Sequence, residues 1–113
     1  MKTGLSKEVW NEITEVFEKF TKINQVILFG SRAMGNFREG SDIDLAVKGD
    51  HIVLKDLLDI EVALEDLELI YKIDLVDFNK INNPELQAHI DRVGMVVYSK
   101  KTNEIGATTI KTS

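Results

Sequence analysis

Two aspartates one residue apart, Asp42 and Asp44, are the side chains of this sequence best suited to chemistry. They lie in the run Asp42-Ile43-Asp44-Leu45-Ala46-Val47, which has strand character. Residues two apart on a strand point to the same face, with Cα atoms about 7 Å apart. Asp42 and Asp44 therefore share one face, and Ile43, Leu45 and Val47 share the other. Two carboxylates on one face repel, and a cation between them relieves the repulsion. All-oxygen ligands suit Mg²⁺, which also takes substrate phosphates as ligands. Ordinary surface strands carry Asp-x-Asp too; the distinguishing feature is that an otherwise apolar strand keeps its acids on one parity. A third acid is expected from Lys72-Ile73-Asp74-Leu75-Val76-Asp77-Phe78. Ile73 and Leu75 mark the covered face, so Asp74 falls opposite them, whereas Asp77 shares their parity near the strand end and is expected to be solvated. Three converging acids suit two-metal phosphoryl or nucleotidyl transfer, with the ions about 4 Å apart.

A second pattern precedes the first acid. The segment Gln25-Val26-Ile27-Leu28-Phe29 predicts a buried strand, and Gly30-Ser31 follows directly. That placement offers free backbone N–H groups to a phosphate, and a glycine admits close approach. Taken alone, Gly-Ser is better explained by a strand-ending turn. Two familiar phosphate motifs do not fit. Gly30 and Gly35 have P-loop spacing but Asn36-Phe37 follow, and Arg32 breaks a dinucleotide fingerprint. Arg32 is a candidate phosphate contact or a solvated loop residue, and the two readings stay open. Arg38 reads as solvated. His51 and His89 have no second ligand at metal spacing, so structural or surface roles are expected for them.

The elements that must position these residues follow from periodicity. Val9, Ile13, Val16, Phe17 and Phe20 recur at helical spacing, with Trp10 on the flank. A long helix is expected over Ile52 to Ile70. It carries one apolar stripe at Val53, Leu57, Ile60, Leu64 and Leu67 and another at Leu58, Val62 and Leu69. A helix lying on one sheet needs a single stripe, so the second predicts either cover by another helix or a protein interface. Asn83-Pro84 starts a helix to Arg92, with Gly94 its stop, and Met95 to Ser99 adds a short strand. An α/β (α+β) domain follows, a small mixed sheet with helices covering at least one face. It is expected to span residues 1–100, with a polar, flexible tail over residues 101–113.

With Gly30-Ser31, ten intervening residues and Asp42-x-Asp44 in place, the sequence resembles the polymerase-β-like nucleotidyltransferase superfamily. Its brevity and the wording Gly-Ser-Arg-Ala-x-Gly resemble the minimal nucleotidyltransferase (MNT) branch. The resemblance implies that Gly30 and Ser31 hold the β- and γ-phosphates of a nucleoside triphosphate, with ATP the expected substrate. It implies that Asp42 and Asp44 ligate two Mg²⁺ ions, or Mn²⁺, and that Asp74 completes the site and helps activate an attacking hydroxyl. Larger relatives carry a second, helical domain that grips the substrates, and none follows here. The resemblance therefore implies a separate HEPN-type helical partner in a hetero-oligomer, and an antitoxin that transfers AMP onto it.

Composition narrows the alternatives. The 113 residues carry a net charge of −5, which argues against a phosphate-coating or sequence-specific nucleic-acid binder. The absence of cysteine excludes disulfides, zinc–thiolate sites and thiol catalysis. No apolar run approaches the roughly 20 residues of a membrane span, and the charged N-terminal residues predict no signal peptide, so a cytoplasmic protein is expected. Two competing functions remain. One is a two-subunit, aminoglycoside-like small-molecule nucleotidyltransferase; the other is an antitoxin acting by contact alone. The full set Gly30, Ser31, Asp42, Asp44 and Asp74 speaks against the second, because a degenerate relative usually lacks at least one. A glycosyltransferase reading of Asp-x-Asp needs a far longer chain.

Overall fold

The computed structural model describes residues 2–100; the expected tail over residues 101–113 lies outside them. The elements run α1 (Lys7–Glu18), β1 (Ile23–Phe29), α2 (Ser31–Met34), β2 (Ile43–Gly49), α3 (Leu54–Glu65), β3 (Ile73–Asp77), a 3-10 turn (Phe78–Lys80), α4 (Pro84–Val93) and β4 (Met95–Ser99). The four strands form one mixed sheet in the order β3-β2-β1-β4. Strand β1 pairs antiparallel with both β2 and β4, and β2 pairs parallel with β3.

Both faces of the sheet are covered, more than the single face that the pattern required. On one side, Val26 and Leu28 of β1 and Ile43, Leu45 and Val47 of β2 pack with Ile13, Val16 and Phe17 of α1 and Ile60 and Leu64 of α3. On the other, Ile27, Phe29 and Ala46 pack with Ile90 of α4. Each fully buried side chain of this kind stabilises the fold by roughly 1.5–3 kcal/mol. The helix ends follow their capping residues. Ser6 accepts the Val9 N–H at 3.1 Å, and Asn83 accepts those of Glu85 and Leu86, with Pro84 at the first helical position.

The long helix departs from expectation. It covers Leu54–Glu65 rather than Ile52 to Ile70, and the chain breaks away at Glu68, whose φ is +57°. Leu67, Leu69 and Tyr71 lie beyond the helix and pack back onto the core. Leu69 therefore does not belong to a second stripe. The exposed apolar line on α3 is instead Leu54, Leu58 and Val62, which are 67%, 50% and 57% exposed and spaced four residues apart.

Candidate active site

The alternation of β2 and β3 decides where the acids point. Ile43 pairs with Ile73, Asp44 with Asp74 and Leu45 with Leu75, so the two aspartates are register partners on adjacent parallel strands. Such strands lie about 4.8 Å apart, and partners share a face. This is the face of Ala46 and Val76, which α4 covers further along the strands. Asp42 stands just before the first residue of β2 and is exposed.

Burial raises the pKa of Asp44 above its ordinary value of 3.8, and the charges of Asp74 and Asp42 raise it further. A hydrogen bond between the Asp44 and Asp74 side chains acts in the same direction. Asp74 also lies 3.7 Å from the Lys72 ammonium, an exposed pair that offsets little of this repulsion. A charged His89 would oppose the shift.

Strand β1 brings the glycine turn to the same place. Phe29 is the register partner of Asp44, and Gly30 follows with φ +77°. A Cβ on Gly30 would collide with the Asp44 carboxylate. Glycine is therefore required twice, for its positive φ and for the space that the carboxylate occupies. Ser31 opens the single turn α2, whose leading backbone N–H groups have no acceptor within the helix.

Among the described residues, no three His, Cys, Asp or Glu side chains stand together so as to hold a metal ion, so the expected convergence of Asp42, Asp44 and Asp74 is not met by all three. Asp44 and Asp74 nonetheless fit a hard divalent cation. They are two oxygen donors in register, charged at a cost to each other.

Arg32 and Asp77 differ from expectation, and His89, expected to be structural or at the surface, takes a specific structural bond. Arg32, a candidate phosphate contact, is turned inward and only 2% exposed. Its Nη1 donates to the Thr3 carbonyl at 2.8 Å, and its Nε and Nη2 donate to the Ser41 carbonyl at 3.1 and 2.8 Å. The guanidinium also lies 5.0 Å from the centres of both the Phe37 and Tyr71 rings. It ties α2 to the loop before Asp42 and is not free to meet a phosphate. Asp77 has the expected parity, opposite Val47, but is buried rather than solvated. It accepts the Asn79 N–H at 3.1 Å and so caps the turn after β3. His89, set aside as isolated, accepts the Gly30 N–H on Nε2 at 3.2 Å. No sequence signal marked that bond, because the residues are 59 apart and only the docking of α4 brings them together.

Comparison with known proteins identifies the family and the fold. The sequence profile of the family described as Polymerase beta, Nucleotidyltransferase matches residues 11–103. A Methanocaldococcus jannaschii protein described as a candidate protein adenylyltransferase is 33% identical over 86 residues, covering 75% of this chain and 87% of its own length. A solved structure described as a candidate minimal nucleotidyltransferase is 28% identical, with a TM-score of 0.63 over 84% of this chain and 95% of that one. The MNT antitoxin fold is also similar, as seen in the tri-AMPylated HEPN toxin of Shewanella oneidensis in complex with its MNT antitoxin. That match has 21% identity, a TM-score of 0.63, and coverage of 85% of this chain and 74% of that one.

Proposed function

The chain belongs to the polymerase beta nucleotidyltransferase family and has its fold, and from that premise we propose that it transfers AMP from ATP to a hydroxyl acceptor. The observation that carries the reading is the meeting of three strand ends. Gly30 packs against the Asp44 carboxylate, and Asp74 is the register partner of Asp44. The glycine turn and the pair of carboxylates are thus adjacent, which supports the reading.

In this reading the N–H and hydroxyl of Ser31 hold the outer phosphates, while the Gly30 N–H is taken by His89 and Gly30 supplies the space beside Asp44. Arg32 braces the turn from behind. Asp44 and Asp74, with Asp42 at the rim, would hold divalent cations. When bound, those ions would neutralise charge on the triphosphate and on the leaving group. Asp74 orients the acceptor hydroxyl and draws on its proton. The acceptor oxygen bonds to the α-phosphorus, the bond from that phosphorus to the bridging oxygen breaks, and pyrophosphate leaves.

The acceptor is proposed to be a separate helical protein of HEPN type, held in a hetero-oligomer. Two features of the chain support a protein partner: the exposed line Leu54, Leu58 and Val62 on α3, and a net charge of −5 suited to a basic surface. The M. jannaschii relative's description as a protein adenylyltransferase supports a protein acceptor too. A second reading has its own observation. A cavity of about 340 Å³ is lined by Glu61, Glu65 and Asp74 together with Lys72, Leu64 and Leu69, a recess of net acidic lining that could take a cationic small alcohol.

The test is co-purification with the helical product of a neighbouring gene, incubation with ATP and Mg²⁺, and intact-mass measurement. A gain of one AMP, or a small multiple, on the partner is expected. Asp44→Asn should abolish it. A partner that binds yet stays unmodified, while an aminoglycoside is nucleotidylated, would replace the protein acceptor with the small molecule.

A further inference from the structure

The Gly30 amide lies where the sheet no longer serves it. Pairing of β1 with β4 ends at Leu28, and pairing with β2 ends at Phe29. As the residue that caps α2, Gly30 gives its carbonyl to Ala33 and Met34, whereas its N–H turns outward. That N–H meets one side chain, His89 of α4, whose Nε2 is the acceptor in this bond.

The histidine is itself held on both sides. Its ring stands edge-on to Phe29, with centroids 6.2 Å apart and planes at 81°. The next residue, Ile90, is buried against Ile27, Phe29 and Ala46. The imidazole therefore joins α4 to a glycine of positive φ whose missing Cβ leaves room for the Asp44 carboxylate.

We propose that His89 is a positioning residue for the phosphate-receiving turn, fixing the Gly30 peptide so that the Ser31 amide and hydroxyl and the Asp44 carboxylate face the same ligand. This rests on the nucleotidyl-transfer reading and adds a residue to it. Glycine alone would leave the turn a choice of conformations, and an ordered turn binds more tightly because less entropy is lost on binding. An acceptor at the Nε2 position is what the device requires. Glutamine carries one there; asparagine is too short, and leucine has none.

The experiment uses the full chain with ATP and Mg²⁺. Calorimetry measures the dissociation constant, and hydrogen exchange followed by nuclear magnetic resonance reports the Gly30 amide. His89→Leu should weaken ATP binding about tenfold, the loss of one ordering hydrogen bond. It should also speed exchange at Gly30 while Val26 and Leu28 stay protected. His89→Gln should restore both to within about twofold of wild type. Should the leucine variant fail to fold, His89→Asn is expected to show the same losses. ATP affinity and Gly30 protection unchanged in the leucine or asparagine variant would overturn the inference. A wild-type chain that binds no triphosphate would overturn the transfer reading instead, a result distinguishable because Gly30 exchange would still report the histidine bond.

Discussion

Asp44 carries a charge that the free protein holds at a cost, and the sign of that cost is testable. Its pKa is raised in the folded chain, first by burial and then by Asp74 and Asp42. A carboxyl whose folded value exceeds its unfolded value favours folding when protonated. That contribution is fully present below 3.8 and is lost as pH rises through the folded value. Asp44→Asn cannot ionise and can still donate to Asp74. Without divalent cations, it should melt about 1–3 °C above wild type at neutral pH, with the gap closing as the pH falls toward 4. Scanning calorimetry across that range checks this; a lower melting temperature for the variant at neutral pH would contradict it. The parity that pairs Asp44 with Asp74 was legible, because a strand's period of two allows only one choice of face once Ile73 and Leu75 are assigned. Arg32 was not. Nothing local shows that the carbonyls of Thr3 and Ser41 fold onto its guanidinium from opposite directions.

The elements themselves were largely legible where a cap or a strict period marked them. Asn83-Pro84 and Met95–Ser99 fall where expected, but α3 was drawn too long. Apolar residues beyond Glu65 continue a helical count although the chain has turned at Glu68 to bring Leu69 and Tyr71 onto the core. Gly94 shows the same gap between pattern and cause. It ends α4 as predicted, yet its φ is −61°, which any residue adopts. Space is what demands glycine here. A Cβ would lie against the Ile90 carbonyl and 2.6 Å from the Ile27 side chain. Gly94→Ala should therefore destabilise the fold by about 1–3 kcal/mol through overpacking. Because α4 must shift to make room, ATP affinity should fall along with stability. Denaturant unfolding and calorimetry measure the two, and an alanine variant as stable as wild type would show that α4 is not wedged at this point.

At the scale of the whole molecule, the face of Asp44 and Asp74 and the exposed apolar line lie on different sides of the sheet. Asp44 and Asp74 share the face that α4 covers, while α3 packs on the other, with Leu54, Leu58 and Val62 turned away from the core. None of the described helices is long and apolar enough to cross a membrane, so the exposed line is not explained as part of a span. If it anchors the proposed helical partner, recognition and chemistry are separable. The paired variant Leu58→Asp/Val62→Asp should leave the melting temperature within about 2 °C of wild type, because both side chains are already half exposed. It should also leave ATP affinity unchanged, because neither residue touches the glycine turn. Partner binding should weaken at least about a hundredfold, since each substitution places a charge in a desolvated apolar contact. Acidic residues flank that line, so the wild-type complex should also loosen as salt screens its attraction to a basic surface. Titration calorimetry of both proteins at low and high salt reads all of this. Unchanged partner affinity in the double variant would take the interface off the line Leu54, Leu58 and Val62 and overturn its role as the anchor.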